Sequence, residues 1–126
     1  MIFGIGTDIL DRERLDRGLD AAFIRRAYTD AERLQAAQRC DPAAYYATRF
    51  AAKEAVFKAI SACVTDFRPQ DIETLADEHG KPSVFLHGKT AEEVSDSLAG
   101  RKYSILVSLS CEDKTAIAYA VIDAAQ

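Results

Sequence analysis

Apolar positions along this chain change period several times, and each change marks an element. Residues 2–9 (IFGIGTDI) are β-branched and glycine-spaced ahead of the acidic Asp11, and they predict a buried strand. Over residues 12–28, Leu15, Leu19, Phe23, Ile24 and Ala27 follow helical spacing. Gly18 in their midst predicts two short helices or a broken one. Thr29-Asp30-Ala31-Glu32 has the form of a capping box, so a helix should run from there to about Cys40. Asp41-Pro42 is a second start signal, for the longest helix, expected to end at about Ala62. The period then becomes that of strands. Residues 71–76 and 83–87 flank the turn Glu78-His79-Gly80-Lys81-Pro82 and predict a hairpin. Thr90-Ala91-Glu92-Glu93 predicts another capping box, opening a helix that Gly100 ends. Residues 103–110 and 115–122 predict a closing hairpin. The order predicts an α+β fold, with a largely antiparallel sheet packed against a long central helix.

No linker, repeat or low-complexity tract divides the 126 residues, which predicts a single domain. A chain this short buries one modest core and has little material for a cleft between two lobes of its own. A large substrate is therefore expected to be held with help from a second chain. The 16 basic and 20 acidic residues leave a net charge of −4, which argues against a broad nucleic-acid surface but allows a local basic patch. No apolar run approaches the roughly 20 residues of a membrane span, and the start reads as a strand rather than a signal peptide. Cys40, Cys63 and Cys111 lack metal-type spacing, so a reducing, cytoplasmic compartment is expected. His79 and His87 leave few parts for histidine-centred catalysis.

Candidate chemistry concentrates on the long helix and the first strand. On a helical wheel, Ala47, Ala51, Ala52, Ala55, Ala59 and Ala62 share one half, suited to close packing on a sheet. The other half mixes Tyr46, Phe50, Phe57 and Ile60 with Arg49, Lys53, Glu54 and Lys58. Arg49 and Lys53 are like charges at i,i+4, unfavourable unless an anion lies between them. Glu54 and Lys58 read either as a simple helix pair or as a carboxylate aimed at a metal beside a cation aimed at phosphate. Asp8 sits in an otherwise uncharged strand. It reads either as a solvated strand end or as a second oxygen ligand, since two carboxylates plus phosphate and water are a usual setting for Mg²⁺. Gly4 and Gly6 read as packing glycines, because Ile5-Gly6-Thr7-Asp8 matches no phosphate-loop or dinucleotide fingerprint.

Gly4-Ile5-Gly6-Thr7-Asp8-Ile9-Leu10 with Arg14, then Arg49-Phe50-Ala51-Ala52-Lys53-Glu54-Ala55 with Lys58-Ala59-Ile60, resembles the signature pair of the 4′-phosphopantetheinyl transferases. Gly80-Lys81-Pro82, Leu86, Gly88 and Ala91 are similar to that family's hairpin and following helix, and the segment from Leu106 to Ala118 to its closing hairpin. Length and ending are similar to the small holo-[acyl-carrier-protein] synthase type, from Ile2 to Ile122. The resemblance implies that fold and a magnesium-dependent reaction. In it, 4′-phosphopantetheine moves from coenzyme A to a serine of apo acyl carrier protein, serving fatty acid biosynthesis, and adenosine 3′,5′-bisphosphate is released. It also implies a homotrimer with interfacial active sites.

Residue by residue, the resemblance makes Asp8 and Glu54 metal ligands and, with Lys58, the catalytic group. Arg49, Lys53, Lys58, Ser61, Pro82, Ser110 and Cys111 would contact coenzyme A. Arg14, Arg25, Arg26 and Phe50, with Arg12 nearby, would meet the acidic carrier protein. Two departures stand out. Ser61-Ala62-Cys63-Val64-Thr65 replaces a glycine-rich loop, which predicts a longer helix and an altered pocket wall. Cys111 stands where the family often has histidine. These departures keep open a non-catalytic paralogue that binds carrier protein or coenzyme A, and, more remotely, a purely structural α+β trimer.

Overall fold

The computed structural model describes residues 1–126. The elements follow as β1 (Ile2–Asp11), α1 (Arg12–Gly18), α2 (Ala21–Ala27), α3 (Asp30–Ala37), α4 (Pro42–Ala59), β2 (Ile72–Ala76), β3 (Pro82–Leu86), α5 (Gly88–Ser97), β4 (Tyr103–Cys111) and β5 (Thr115–Ala124). The α+β expectation holds. A three-stranded sheet in the order β1-β5-β4 carries α4 on its inner face, and β2-β3 form a separate hairpin. Every strand pair is antiparallel.

Most helix starts follow local chemistry. Asp11 accepts from the Glu13 and Arg14 amides to cap α1, and Asp20 accepts from Phe23 to cap α2 across the break at Gly18. The Thr29–Glu32 capping box forms with both of its bonds. Asp41 accepts from Ala44 ahead of Pro42.

Three boundaries differ from expectation. Helix α3 stops at Ala37 rather than Cys40, because the Gln38 and Arg39 amides tighten onto Gln35 and Ala36. Helix α4 stops at Ala59 rather than running past Ala62. The Ser61 and Cys63 amides close onto Lys58 and Ile60, and this turn brings Val64 under the core. The expected capping box at Thr90 does not form. Helix α5 starts earlier, at Gly88, and Asp71 takes both the Thr90 amide and hydroxyl, at 3.1 and 2.9 Å. Glu93 is thereby released to accept from the Thr65 amide and to pair with Arg68. The end at Gly100 is as expected. With φ of 74° its amide reaches back to the Ser95 carbonyl, a backbone state that suits glycine.

The core is built from small residues. Ala116, Ala118, Ala120, Ile122 and Ala124 on β5 meet Ala47, Ala51, Ala52, Ala55 and Ala59 on α4, all buried. At β1 the contact is closer still. A Cβ on Gly4 would lie 1.8 Å from the Ala59 carbonyl oxygen, and one on Gly6 1.9 Å from that of Ala55. The two glycines are therefore the points where helix backbone rests on strand backbone. The opposite sheet face is apolar and uncovered. Ile5, Ile9, Leu106 and Tyr119 are each more than half exposed there. No helix is long and apolar enough to cross a membrane.

Gly6→Ala is expected to lower stability by about 3 kcal/mol or more, the upper range for overpacking, because its obstacle is main chain rather than a movable side chain. Gly18→Ala meets open space and should be neutral or slightly stabilising. Urea denaturation of both variants checks the contrast. Equal midpoints would contradict the close approach of α4 to β1.

Candidate functional site

Each two-residue step along β1 matches one turn of α4: Gly4 lies against Ala59 and Gly6 against Ala55. The next inward position is Asp8, and it reaches the turn that carries Glu54. Asp8 is 7% exposed. Its Oδ1 lies 3.3 Å from Lys58 Nζ, whereas Oδ2 is buried with no partner. Lys58 Nζ also donates to the Thr7 carbonyl at 2.9 Å. The i,i+4 pair read from spacing between Glu54 and Lys58 is thus replaced by a bond from Lys58 to the strand. Burial, then the neighbouring Asp8, pushes the Glu54 carboxyl up to about 7, with Lys58 opposing. Arg14, Phe23 and Phe50 line the same recess as the two carboxylates.

An orphaned carboxylate oxygen beside a second carboxyl is a donor set that fits a hard divalent cation. No third His, Cys, Asp or Glu completes a cage, so the remaining ligands of such an ion would be water or substrate oxygen.

A second recess opens at the other edge of the sheet. Thr48, Arg49, Gly80, Pro82, Ser110 and Cys111 line it. Arg49 is 8% exposed, with its guanidinium 4.1 Å from the centre of the Tyr45 ring. Its Nη1 donates to Thr48 Oγ1, and its Nε is buried without a partner. Asp8 pairs with Ala118, and Ala118 with Leu109, so β5 separates the two recesses. The two strand spacings between them amount to about 10 Å.

Lys53 belongs to neither recess, which corrects the expectation that it faces a phosphate. It is fully buried, and its ammonium donates to Glu32 Oε1 at 2.8 Å and to the Pro69 and Ile72 carbonyls at 2.8 and 2.6 Å. Nor do Arg49 and Lys53 share a site: one stacks on Tyr45 and the other is spent on Glu32. Glu32 also accepts from the Thr29 and Thr74 amides, so the capping residue of α3 is at the same time the counter-ion of α4. Ser61 is exposed in the turn after α4 and lines neither recess. Arg14, Arg25 and Arg26 are exposed. Arg12 turns inward to pair with Asp41 and leaves that set.

Three contributors escaped the sequence reading. Phe23 had the spacing of a core residue, and Glu32 that of a cap only. Tyr45 lies four residues before Arg49 on α4, a spacing that could have marked it as a stacking partner.

Lys53→Met leaves the buried Glu32 carboxylate unpaired and should cost about 3–5 kcal/mol. The double variant Lys53→Met/Glu32→Gln should regain part of that loss, because no uncompensated charge remains although one of the Thr29 and Thr74 amides loses its acceptor. Thermal unfolding of the pair checks this, and a double variant no better than the single one would contradict it.

Comparison with known proteins adds a family to this geometry. Residues 4–117 match the family model of the 4′-phosphopantetheinyl transferase superfamily. The chain is 40% identical over 133 residues to holo-[acyl-carrier-protein] synthase of Magnetococcus marinus, covering 98% of this chain and 94% of that one. Among solved structures it is similar to holo-[acyl-carrier-protein] synthase of Neisseria meningitidis, with a TM-score of 0.81, 34% identity and coverage of 98% and 99%. It is also similar to that of Bacillus anthracis in complex with CoA (3′,5′-ADP), with a TM-score of 0.76, 30% identity and 99% coverage of both chains.

Proposed function

The chain belongs to the 4′-phosphopantetheinyl transferase superfamily, in its holo-[acyl-carrier-protein] synthase type, and from that membership we propose that it transfers 4′-phosphopantetheine from coenzyme A to a serine of apo acyl carrier protein. The observation that carries the reading is the meeting of Asp8 and Glu54, with an orphaned oxygen on the first and a carboxyl near neutrality on the second. Asp8 and Glu54 are the residues that would hold a magnesium ion, which when bound neutralises charge on the pyrophosphate. Glu54, or a water held beside it, would accept the serine proton. Lys58, held over Asp8 and more than half exposed, offers its charge to the departing phosphate of adenosine 3′,5′-bisphosphate. Arg49, with Pro82, Ser110 and Cys111 around it, receives the nucleotide end. Arg14, Arg25 and Arg26 supply local positive charge for an acidic carrier, with Phe50 at the mouth of the carboxylate recess.

The separation of the two recesses supports a site shared between chains, and so does the uncovered apolar sheet face. In this reading the protein is a single-domain homotrimer in the cytoplasm. The nucleotide recess of one protomer and the carboxylates of its neighbour hold one coenzyme.

Incubation with Mg²⁺, coenzyme A and apo carrier protein should add the mass of phosphopantetheine to the carrier. Asp8→Ala and Glu54→Ala should each cut kcat/KM by about 100-fold or more while keeping the thermal midpoint, because they act on the bound state. Mass spectrometry of several carriers without any gain overturns the reading. Turnover that disappears in Glu54→Ala separates it from a binding-only paralogue.

Sedimentation of the wild type should give a trimer. Ile5→Glu, on the uncovered face, should give folded monomers without turnover, as seen by far-UV circular dichroism alongside the transfer assay. An active monomer would contradict the shared site.

A further inference from the structure

Three cysteines are free, and each stands in a different setting. Cys40 is exposed between Arg39 and Asp41, in the turn from α3 to α4. Cys63 packs against the core from the turn after α4. Cys111, the last residue of β4, is half-buried and lines the recess that also holds Arg49. Its Sγ makes one weak contact, 3.5 Å from the Glu112 carbonyl oxygen. Neither of the other two thiols reaches that recess.

The surroundings of Cys111 point to an anionic ligand independently of the thiol. Arg49 is 8% exposed, and its Nε is buried without a partner. The arginine–carboxylate pairs of this chain are made by Arg12, Arg17, Arg33 and Arg68 instead. No acidic side chain lines the recess, whereas the hydroxyls of Thr48, Ser108 and Ser110 do. A buried guanidinium without a counter-ion favours a ligand that brings negative charge and oxygen acceptors. A partly exposed thiol in an electropositive recess is also the setting in which cysteines exchange with disulfides, because the thiolate is the attacking form.

We propose that Cys111 is a thiol–disulfide exchange site for small disulfides that carry carboxylates, and that the mixed disulfide shuts the recess beside Arg49. The Cys111 thiolate attacks one sulfur of the small disulfide. A bond from Sγ to that sulfur forms as the disulfide's own S–S bond breaks, and the departing half leaves as a thiolate that takes up the proton Cys111 gave up. Cys111 is oxidised and the departing half is reduced, so no further oxidant enters. A second thiol reverses the step. The carboxylates of the attached half turn toward Arg49 and fill the space that the nucleotide end needs. The inference rests on the coenzyme reading above, and it makes coenzyme A a shield for Cys111, so that the recess closes when the coenzyme is scarce.

Glutathione disulfide, with the neutral bis(2-hydroxyethyl) disulfide as its uncharged counterpart, tests the site on the wild type. Peptide mapping by mass spectrometry should place glutathione on Cys111. Coenzyme A at about ten times its dissociation constant should slow that modification about tenfold. Relative to Cys40 in the same molecule, Cys111 should favour the anionic disulfide over the neutral one by about tenfold, the scale of one charge-assisted contact. The modified protein should lose coenzyme A binding by calorimetry, together with turnover, and regain both with dithiothreitol. Cys40→Ser/Cys63→Ala should remain sensitive, whereas Cys111→Ser, whatever its starting turnover, should lose none of it to glutathione disulfide. Glutathione on Cys40 or Cys63 alone, no preference for the anionic disulfide, or a Cys111 adduct that still binds coenzyme A overturns the proposal. Unmodified protein that does not bind coenzyme A overturns the coenzyme reading itself and is thereby told apart.

Discussion

Helix α4 can rest on β1 only because two side chains are missing. At Gly4 and Gly6 the carbonyls of Ala59 and Ala55 occupy the space that a Cβ would need. Strand rise and helix turn advance together there, so the contact sets a register as well as a distance. Within that register Asp8 is the next inward side chain, and it arrives where α4 carries Glu54. The same closeness keeps Asp8 buried, leaves its Oδ2 without a partner and brings Lys58 onto its Oδ1. It also explains why burial raises the Glu54 carboxyl to about 7. A larger residue at either glycine would widen the gap and relax all of these at once.

The far side of α4 is held by a different force. Lys53 and Glu32 form a fully buried ion pair, and every polar bond around it reaches another element: the α3 amide at Thr29, the Thr74 amide and two carbonyls ahead of and within β2. Such a pair adds little net stability over apolar packing, yet losing one member is expensive. Its main effect is to orient α4 against α3 and the β2-β3 hairpin. The helix is thus clamped by apolar contact on the sheet side and by charge on the other. The chemistry-bearing residues Arg49, Glu54 and Lys58 leave it in the directions that remain.

Much of this was legible in the residues themselves. The caps at Asp41 and Thr29, the break at Gly18, the alanine stripe and the packing role of Gly4 and Gly6 each depend on interactions within a few positions or on a single face. The failures have a common cause. Thr90 looked like a local cap until Asp71, nineteen residues earlier, supplied a better acceptor. Of the two readings that spacing allowed for Glu54 and Lys58, the helix pair gives way because a strand carboxylate and carbonyl compete for the ammonium. Lys53 was grouped with Arg49 by spacing, yet Glu32, twenty-one residues earlier, lies within 2.8 Å of its ammonium and claims it.

Local chemistry in the sequence therefore determined the element order, most helix starts and the residues able to do chemistry, because short-range hydrogen bonds and periodic burial decide those. Tertiary structure alone decided which charges remain free. A buried ammonium goes to whichever carboxylate the fold brings within reach, and the pairing energy depends on distance and desolvation rather than on separation along the chain. For that reason Lys53 became a strut, Arg49 stayed unpaired on Tyr45, and the carboxylates and the guanidinium came to lie on opposite edges of one small sheet.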